Sequence, residues 1–204
     1  MRLLALASAL SVVLCATAAR ADDHFQHKVA AGITPINLAR YEGSHEGFLT
    51  PIDELGVGAI GVSVSYSYAP WKYLELKIQS DYLKPFVGRD AIDEGLHEFR
   101  GVLGVDGVLP LGCDYMQLNF GVDGGMAAWR LTAIEDGRED FSASHALGWT
   151  LQWRAGFRGW ISDHTGFWGE TGFGVADASS VGERGNGLSA RWPLRVTVGW
   201  ADRF

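Results

Sequence analysis

Long apolar runs are scarce in this 204-residue chain. The longest stretch dominated by apolar residues, residues 3–14, falls short of the ~20 residues that a membrane-crossing helix needs. A helical membrane protein is therefore excluded. Cysteine is almost missing, with Cys15 and Cys113 as the only two. Leu14 is too large for the small residue expected before an acylated cysteine, so Cys15 does not mark a lipoprotein. Cys113 alone can make neither an internal disulfide nor a redox or metal motif. Positive charge is also in deficit. Lys and Arg number 17 against 24 Asp and Glu, a formal charge of −7. That balance excludes nucleic acid as a partner, which calls for a basic patch.

The N-terminus has the form of an export signal. Arg2 supplies the basic start, residues 3–14 the apolar segment, and Ala19-Arg20-Ala21 the small-x-small cleavage pattern. Cleavage after Ala21 leaves 204 − 21 = 183 residues, so residues 22–204 are expected to form one domain. The leader carries Arg2 and Arg20 and no acids, so the exported part is near −7 − 2 = −9.

What the chain does have is 27 Gly, 8 Trp and alternation with period two. Ile60, Val62, Val64, Tyr66 and Tyr68 share one parity, and Gly61, Ser63, Ser65 and Ser67 the other. Leu74, Leu76, Ile78 and Tyr82 oppose Glu75, Lys77, Gln79 and Asp81 in the same way. The pattern recurs around Leu103 and Val105, Leu118 and Phe120, Leu151 and Trp153, and Phe173 and Val175. It recurs last with Trp192, Leu194, Val196, Val198 and Trp200 opposing Arg191, Arg195, Thr197 and Gly199. A weaker opening strand spans residues 27–36 and is expected to end near Pro35, since proline favours strand edges and ends. Eight strands result, an even number, as bacterial single-chain barrels have.

Three connections are short (residues 69–72, 112–114 and 163–166) and four are long (41–54, 85–97, 132–144 and 176–189). Short periplasmic turns opposite long outer loops are the asymmetry of outer-membrane barrels, and they place both termini in the periplasm. The expected fold class is an all-β, eight-stranded antiparallel up-and-down transmembrane β-barrel. Two aromatic belts support an outward apolar face. Tyr68, Trp71, Tyr73, Tyr115, Trp160, Phe167 and Trp200 lie toward the short turns. Tyr82, Phe99, Trp129, Trp149 and Trp192 lie toward the long loops. The opposite parity then lines the lumen with Glu75, Asp81, Asp106, Asp123 and Glu170 against Lys77, Arg100, Arg154, Arg158 and Arg195. An eight-stranded interior is just wide enough for side chains to fill, so these charges are expected to pair into a plug.

The final segment, with Val196, Val198 and Trp200 at alternate positions before a terminal Phe204, resembles the C-terminal assembly signal of outer-membrane barrels; Asp202 departs from it where an aromatic is usual. Residues 97–111 and 162–167 are similar to strands and turns of small OmpA/OmpX/OmpW-like barrel domains. The resemblance implies a bacterial outer-membrane location. It also implies contact with outer-membrane lipids and lipopolysaccharide, insertion by the barrel-assembly machinery and a monomeric barrel. It names no substrate, cofactor or metal.

Two alternatives to a structural or surface-exposed role are a narrow transport barrel for small or apolar solutes and a lipid-modifying enzyme. None of the six histidines is followed two places on by Ser, the pairing expected of a lipid A deacylase of this size. Ser144-His145 is the remaining catalytic candidate, and adjacency in sequence does not build a catalytic pair. His24 and His27, near Asp22 and Asp23, form no convincing metal spacing. The acidic run Glu135-Asp136-Gly137-Arg138-Glu139-Asp140 reads as a solvated loop tip.

Overall fold

The computed structural model describes residues 26–44, 52–57, 59–85, 94–111, 115–135, 138–140, 145–179 and 187–204. Export signal, Cys15, Cys113, His24, Asp136 and Ser144 lie outside the described residues. The described residues form ten strands: β1 (His27–Ser44), β2 (Ile52–Val57), β3 (Ala59–Trp71), β4 (Leu74–Pro85), β5 (Glu94–Pro110), β6 (Met116–Glu135), β7 (Arg138–Asp140), β8 (His145–Trp160), β9 (Thr165–Ser179) and β10 (Gly187–Arg203). Every pairing is antiparallel, and β10 pairs back onto β1 to close the sheet. β2 and β3 share one stave, since β1 pairs β3 over His27–Ile33 and β2 over Leu38–Gly43. β7 and β8 likewise both pair with β6. The result is an eight-stave closed barrel, which leaves no free edge.

Alternation decides the faces. In β3 the even residues from Ile60 to Tyr68 point outward or are half-buried, while Ser63, Ser65 and Ser67 are buried. β4 repeats this with Glu75, Lys77, Gln79 and Asp81 inside. The outward wall is apolar all round: Ile60 is 63% exposed, Leu103 65%, Phe120 54% and Phe173 54%. A continuous apolar wall of this extent exceeds what a water-soluble monomer presents.

The ladder runs further than the apolar pattern. The opening strand does not stop at Pro35: β1 continues to Ser44 and absorbs the proline in a bulge between Ile33 and Ile36. Much of the four expected long connections is also paired backbone, including Tyr41–Gly43 with β2 and β10 and Ala133–Glu135 with β7. Backbone N–H and C=O groups need partners whatever the side chains are, so a hairpin can extend with polar residues. The turns at the other end are tight. Ser162 Oγ accepts from the backbone N–H of Thr165 (3.0 Å), and Ile161 donates to the Thr165 carbonyl (2.9 Å).

A second bulge changes the expected facing of β10. Register slips between Trp192 and Arg195, around Pro193. Arg195 and Thr197 still face inward, but Trp192 now does too, at 1% exposure, while Arg191 is exposed. The expectation of Trp192 outside and Arg191 inside is thus reversed, because an extra residue flips parity. Trp129 and Trp160, also assigned to the outer belts, are buried in the lumen. They share the inward parity of Asp123 and Arg158 on their own strands.

Candidate functional site: the barrel lumen

Among the described residues, six lumen acids (Glu75, Asp81, Glu98, Asp106, Asp123 and Glu170) pair with six cations (Lys28, Lys77, Arg100, Arg154, Arg158 and Arg195). Arg154, on β8, is the hub. Its Nη2 donates to Asp106 Oδ1 (2.7 Å) and Asp123 Oδ1 (2.6 Å), and its Nη1 to Glu170 Oε2 (3.1 Å). Its Nε is ion-paired with Asp123 Oδ2 as well. Lys77 Nζ reaches the same Glu170 oxygen from β4 (3.1 Å). Gln152 then bridges to a second group: Nε2 donates to Asp123 Oδ2 (2.8 Å), and Oε1 accepts from Arg100 Nη1 (2.8 Å). Arg100 binds Asp81 Oδ2 (2.8 Å) and lies 3.3 Å from Glu98. Glu98 accepts from Arg195 Nη2 (3.3 Å), whose Nε donates to Asn37 Oδ1 (2.8 Å). A separate trio sits toward the turn end, with Glu75 held between Lys28 and Arg158 Nη1 (2.5 Å).

Glycine makes the middle of this network possible. Gly104 stands opposite Asp123, and Gly121 opposite Asp106. A Cβ at Gly104 would collide with the Asp123 carboxylate, and one at Gly121 with that of Asp106. Each glycine cedes its inward space to the acid on the facing strand. A cavity of about 20 Å³ remains beside Asp106, Asn119, Arg154 and Glu170. Asp106 Oδ2 and both Asn119 amide atoms have no hydrogen-bond partner among the described residues. The site has room and polar groups for about one water molecule, and none for a larger solute.

Indoles close the network at both ends. Toward the loop end, Trp129 and Trp192 pack with Leu96 and with Ala39, Ala127, Ala176 and Ala190. Toward the turn end, Trp160 and Trp168 pack with Ala30 and Ala201. Large rings against alanines fill a narrow cross-section. Cations cover the rings: Arg195 and Arg100 lie 4.4 and 5.1 Å from the Trp192 ring centre, and Arg203 lies 4.4 Å from that of Trp160. These distances fall within cation–π range.

All ten charged residues assigned to the lumen from parity face it and are ion-paired. Glu98, Lys28 and Asn37 were not among them. Glu98 shares the parity of Arg100, two residues on, but precedes the first apolar residue of its segment. Lys28 and Asn37 lie in the strand with the weakest alternation. Of the terminal residues, Val198 and Trp200 are exposed on the outward face and Val196 is half-buried. Phe204 stacks on His27, with ring centres 6.0 Å apart. Asp202 accepts a hydrogen bond from Thr165 Oγ1 (2.8 Å). His145 opens β8 opposite Arg130, and His27 Nδ1 lies 2.6 Å from the Tyr66 hydroxyl. Among the described residues, no three His, Cys, Asp or Glu side chains converge as metal ligands.

No family model and no curated protein matches the sequence. Solved structures match the fold. Neisserial surface protein A (NspA) superposes with a TM-score of 0.52 at 12% identity, over 87% of this chain and 97% of that one. The outer membrane protein OprG from Pseudomonas aeruginosa gives 0.51 at 10% identity, over 88% and 95%. The chain therefore has the fold of the small eight-stranded outer-membrane β-barrels.

Proposed function

We propose that this chain is a bacterial outer-membrane barrel with a closed lumen, and that its role is structural or surface-presenting rather than catalytic. One observation carries the reading: among the described residues, six acids and six cations pair inside the barrel, between two tryptophan layers. Such an interior leaves no continuous path for a solute. The apolar outer wall, from Ile60 to Phe173, supports placement in lipid, where every backbone polar group must be satisfied within the sheet. On this reading residues 1–21 are a cleaved export signal and both termini lie in the periplasm. Val196, Val198, Trp200 and Phe204 then serve the barrel-assembly machinery, and the finished barrel sits as a monomer among outer-membrane lipids and lipopolysaccharide.

Heat-modifiable gel mobility of protein recovered from outer membranes tests fold and location together, and recovery from the periplasm without detergent would contradict both. Purified barrel in planar bilayers is expected to give no stepwise conductance. Discrete conductance steps would overturn the closed lumen.

A further inference from the structure

Asn119, on β6, is buried in the lumen, at 6% exposure, with neither amide atom hydrogen-bonded among the described residues. Asp106, on β5, is 1% exposed and only half satisfied: Arg154 takes its Oδ1 (2.7 Å), and its Oδ2 has no partner among the described residues. Both side chains line the same 20 Å³ cavity. A buried polar atom left without a partner is costly, and three of them around one cavity call for a common partner. Register explains why they do not satisfy one another. Asn119 stands opposite Val108, and Asp106 opposite Gly121, so the two lie diagonally across the β5–β6 pair. Diagonal neighbours are about 7–8 Å apart, a gap that one small bridging molecule spans.

Glycine keeps the space open. Gly121 faces Asp106 and Gly156 faces Asn119 in register, and both line the cavity without a Cβ. The rest of the lining selects the occupant. Lys77, Arg154 and Arg158 repel a cation there, and Asp106 and Glu170 repel an anion. The three open atoms are a carboxylate acceptor, an amide acceptor and an amide donor. The occupant must therefore be neutral, must both donate and accept, and must fit a space large enough for about one water molecule. Water meets all three conditions.

We infer that this cavity is a binding site for one long-lived water molecule, which donates to Asp106 Oδ2 and hydrogen-bonds the Asn119 amide. Such a bridge is nearly as good as a direct hydrogen bond. Arg158 lines the same cavity and belongs to the trio around Glu75. The water thus sits at the junction between the Arg154 hub and that trio, with tryptophan layers toward both barrel ends. The inference rests on the closed-lumen reading above, since an open lumen would exchange its water freely with solvent.

The test uses the full barrel, isotope-labelled and refolded into lipid nanodiscs. Magnetisation transfer from water to the Asn119 side-chain amide protons is recorded in the laboratory and rotating frames. Wild type is expected to give cross-peaks of opposite sign in the two frames, the signature of a bound rather than a surface water. Ser65→Ala removes the hydroxyl of the lining that could relay such a signal, and the cross-peaks should survive it. Asn119→Leu replaces the amide by an apolar side chain of similar size and leaves Asp106 without its bridge. It should raise the urea unfolding constant about tenfold. In a dry cavity the same change would remove an unsatisfied amide and stabilise the barrel. Missing cross-peaks in wild type, their loss in Ser65→Ala, or an Asn119→Leu barrel as stable as wild type overturns the inference. The wild-type spectra decide even if Asn119→Leu does not fold. Replacing NaCl by choline chloride or sodium gluconate at constant ionic strength should leave the wild-type urea midpoint unchanged. A fall with either would assign the cavity to an ion and overturn the water assignment. Discrete conductance steps in planar bilayers would overturn the closed lumen and this inference together, whereas a silent barrel without the cross-peaks loses only the inference.

Discussion

Val105 and Asp106 are consecutive residues of β5, yet their environments are opposite. Val105 is 44% exposed on the apolar outer wall, and Asp106 is 1% exposed against Arg154. The same contrast runs round all eight staves. Outside, most side chains are apolar and meet only neighbouring rings and alkyl groups, as Trp153 does Phe173. Inside, each charge is tied to oppositely charged residues on its own or other strands, several of them far away in sequence, so its value depends on the partners being present. A buried charge that loses its partner costs far more than an apolar side chain trimmed on the surface.

Arg154→Ala is the sharpest way to break the contrast. It strips the shared cation from Asp106, Asp123 and Glu170, and should destabilise the barrel by about 3–5 kcal/mol, read from urea unfolding in vesicles. Trp192→Ala empties the loop-end layer and unseats the aromatic face under Arg100 and Arg195, with an expected cost of about 3–5 kcal/mol in the same assay. Planar-bilayer recording should still show no conductance, because Trp160 and Trp168 continue to close the turn end. Leu103→Arg places a charge on the outer wall and should cost about 2–4 kcal/mol near the midplane. Val196→Asp should likewise impair membrane assembly more than Thr197→Asp does, measured by membrane fractionation. Equal tolerance of those two would contradict the assigned faces of β10. Gly121→Ala forces the Asp106 carboxylate aside, an overpacking cost of about 1–3 kcal/mol. Leu103→Ala, trimming the wall without charging it, should change unfolding by under about 1 kcal/mol.

The facing of β3, β4 and most of β8 was legible because their alternation is unbroken, and the ten lumen charges followed from it. The same parity also places Trp129 with Asp123, Trp160 with Arg158 and Trp168 with Glu170. Assigning Trp129 and Trp160 to interfacial belts put residue type ahead of parity. Trp192 was different. No alternation count could place it inside, because Pro193 lies in a bulge that appears only once β10 is registered against β9 and β1. The strand ends were hidden for a related reason: ladder beyond the apolar wall carries no hydrophobic signal.

By itself the sequence determined the class of wall, which residues alternate to opposite faces, and the near-balance of charge on the inner one. Side-chain period two is a local property of an extended backbone, so it can be read along the chain. Only the closed barrel decided which charges meet. Lys28 and Glu75 are 47 residues apart, and Arg195 and Asn37 158 apart. Closure also decided that Trp192 turns inward and that Arg40 stands beside Arg191. These depend on register, bulges and sheet closure, which join strands that the chain keeps far apart.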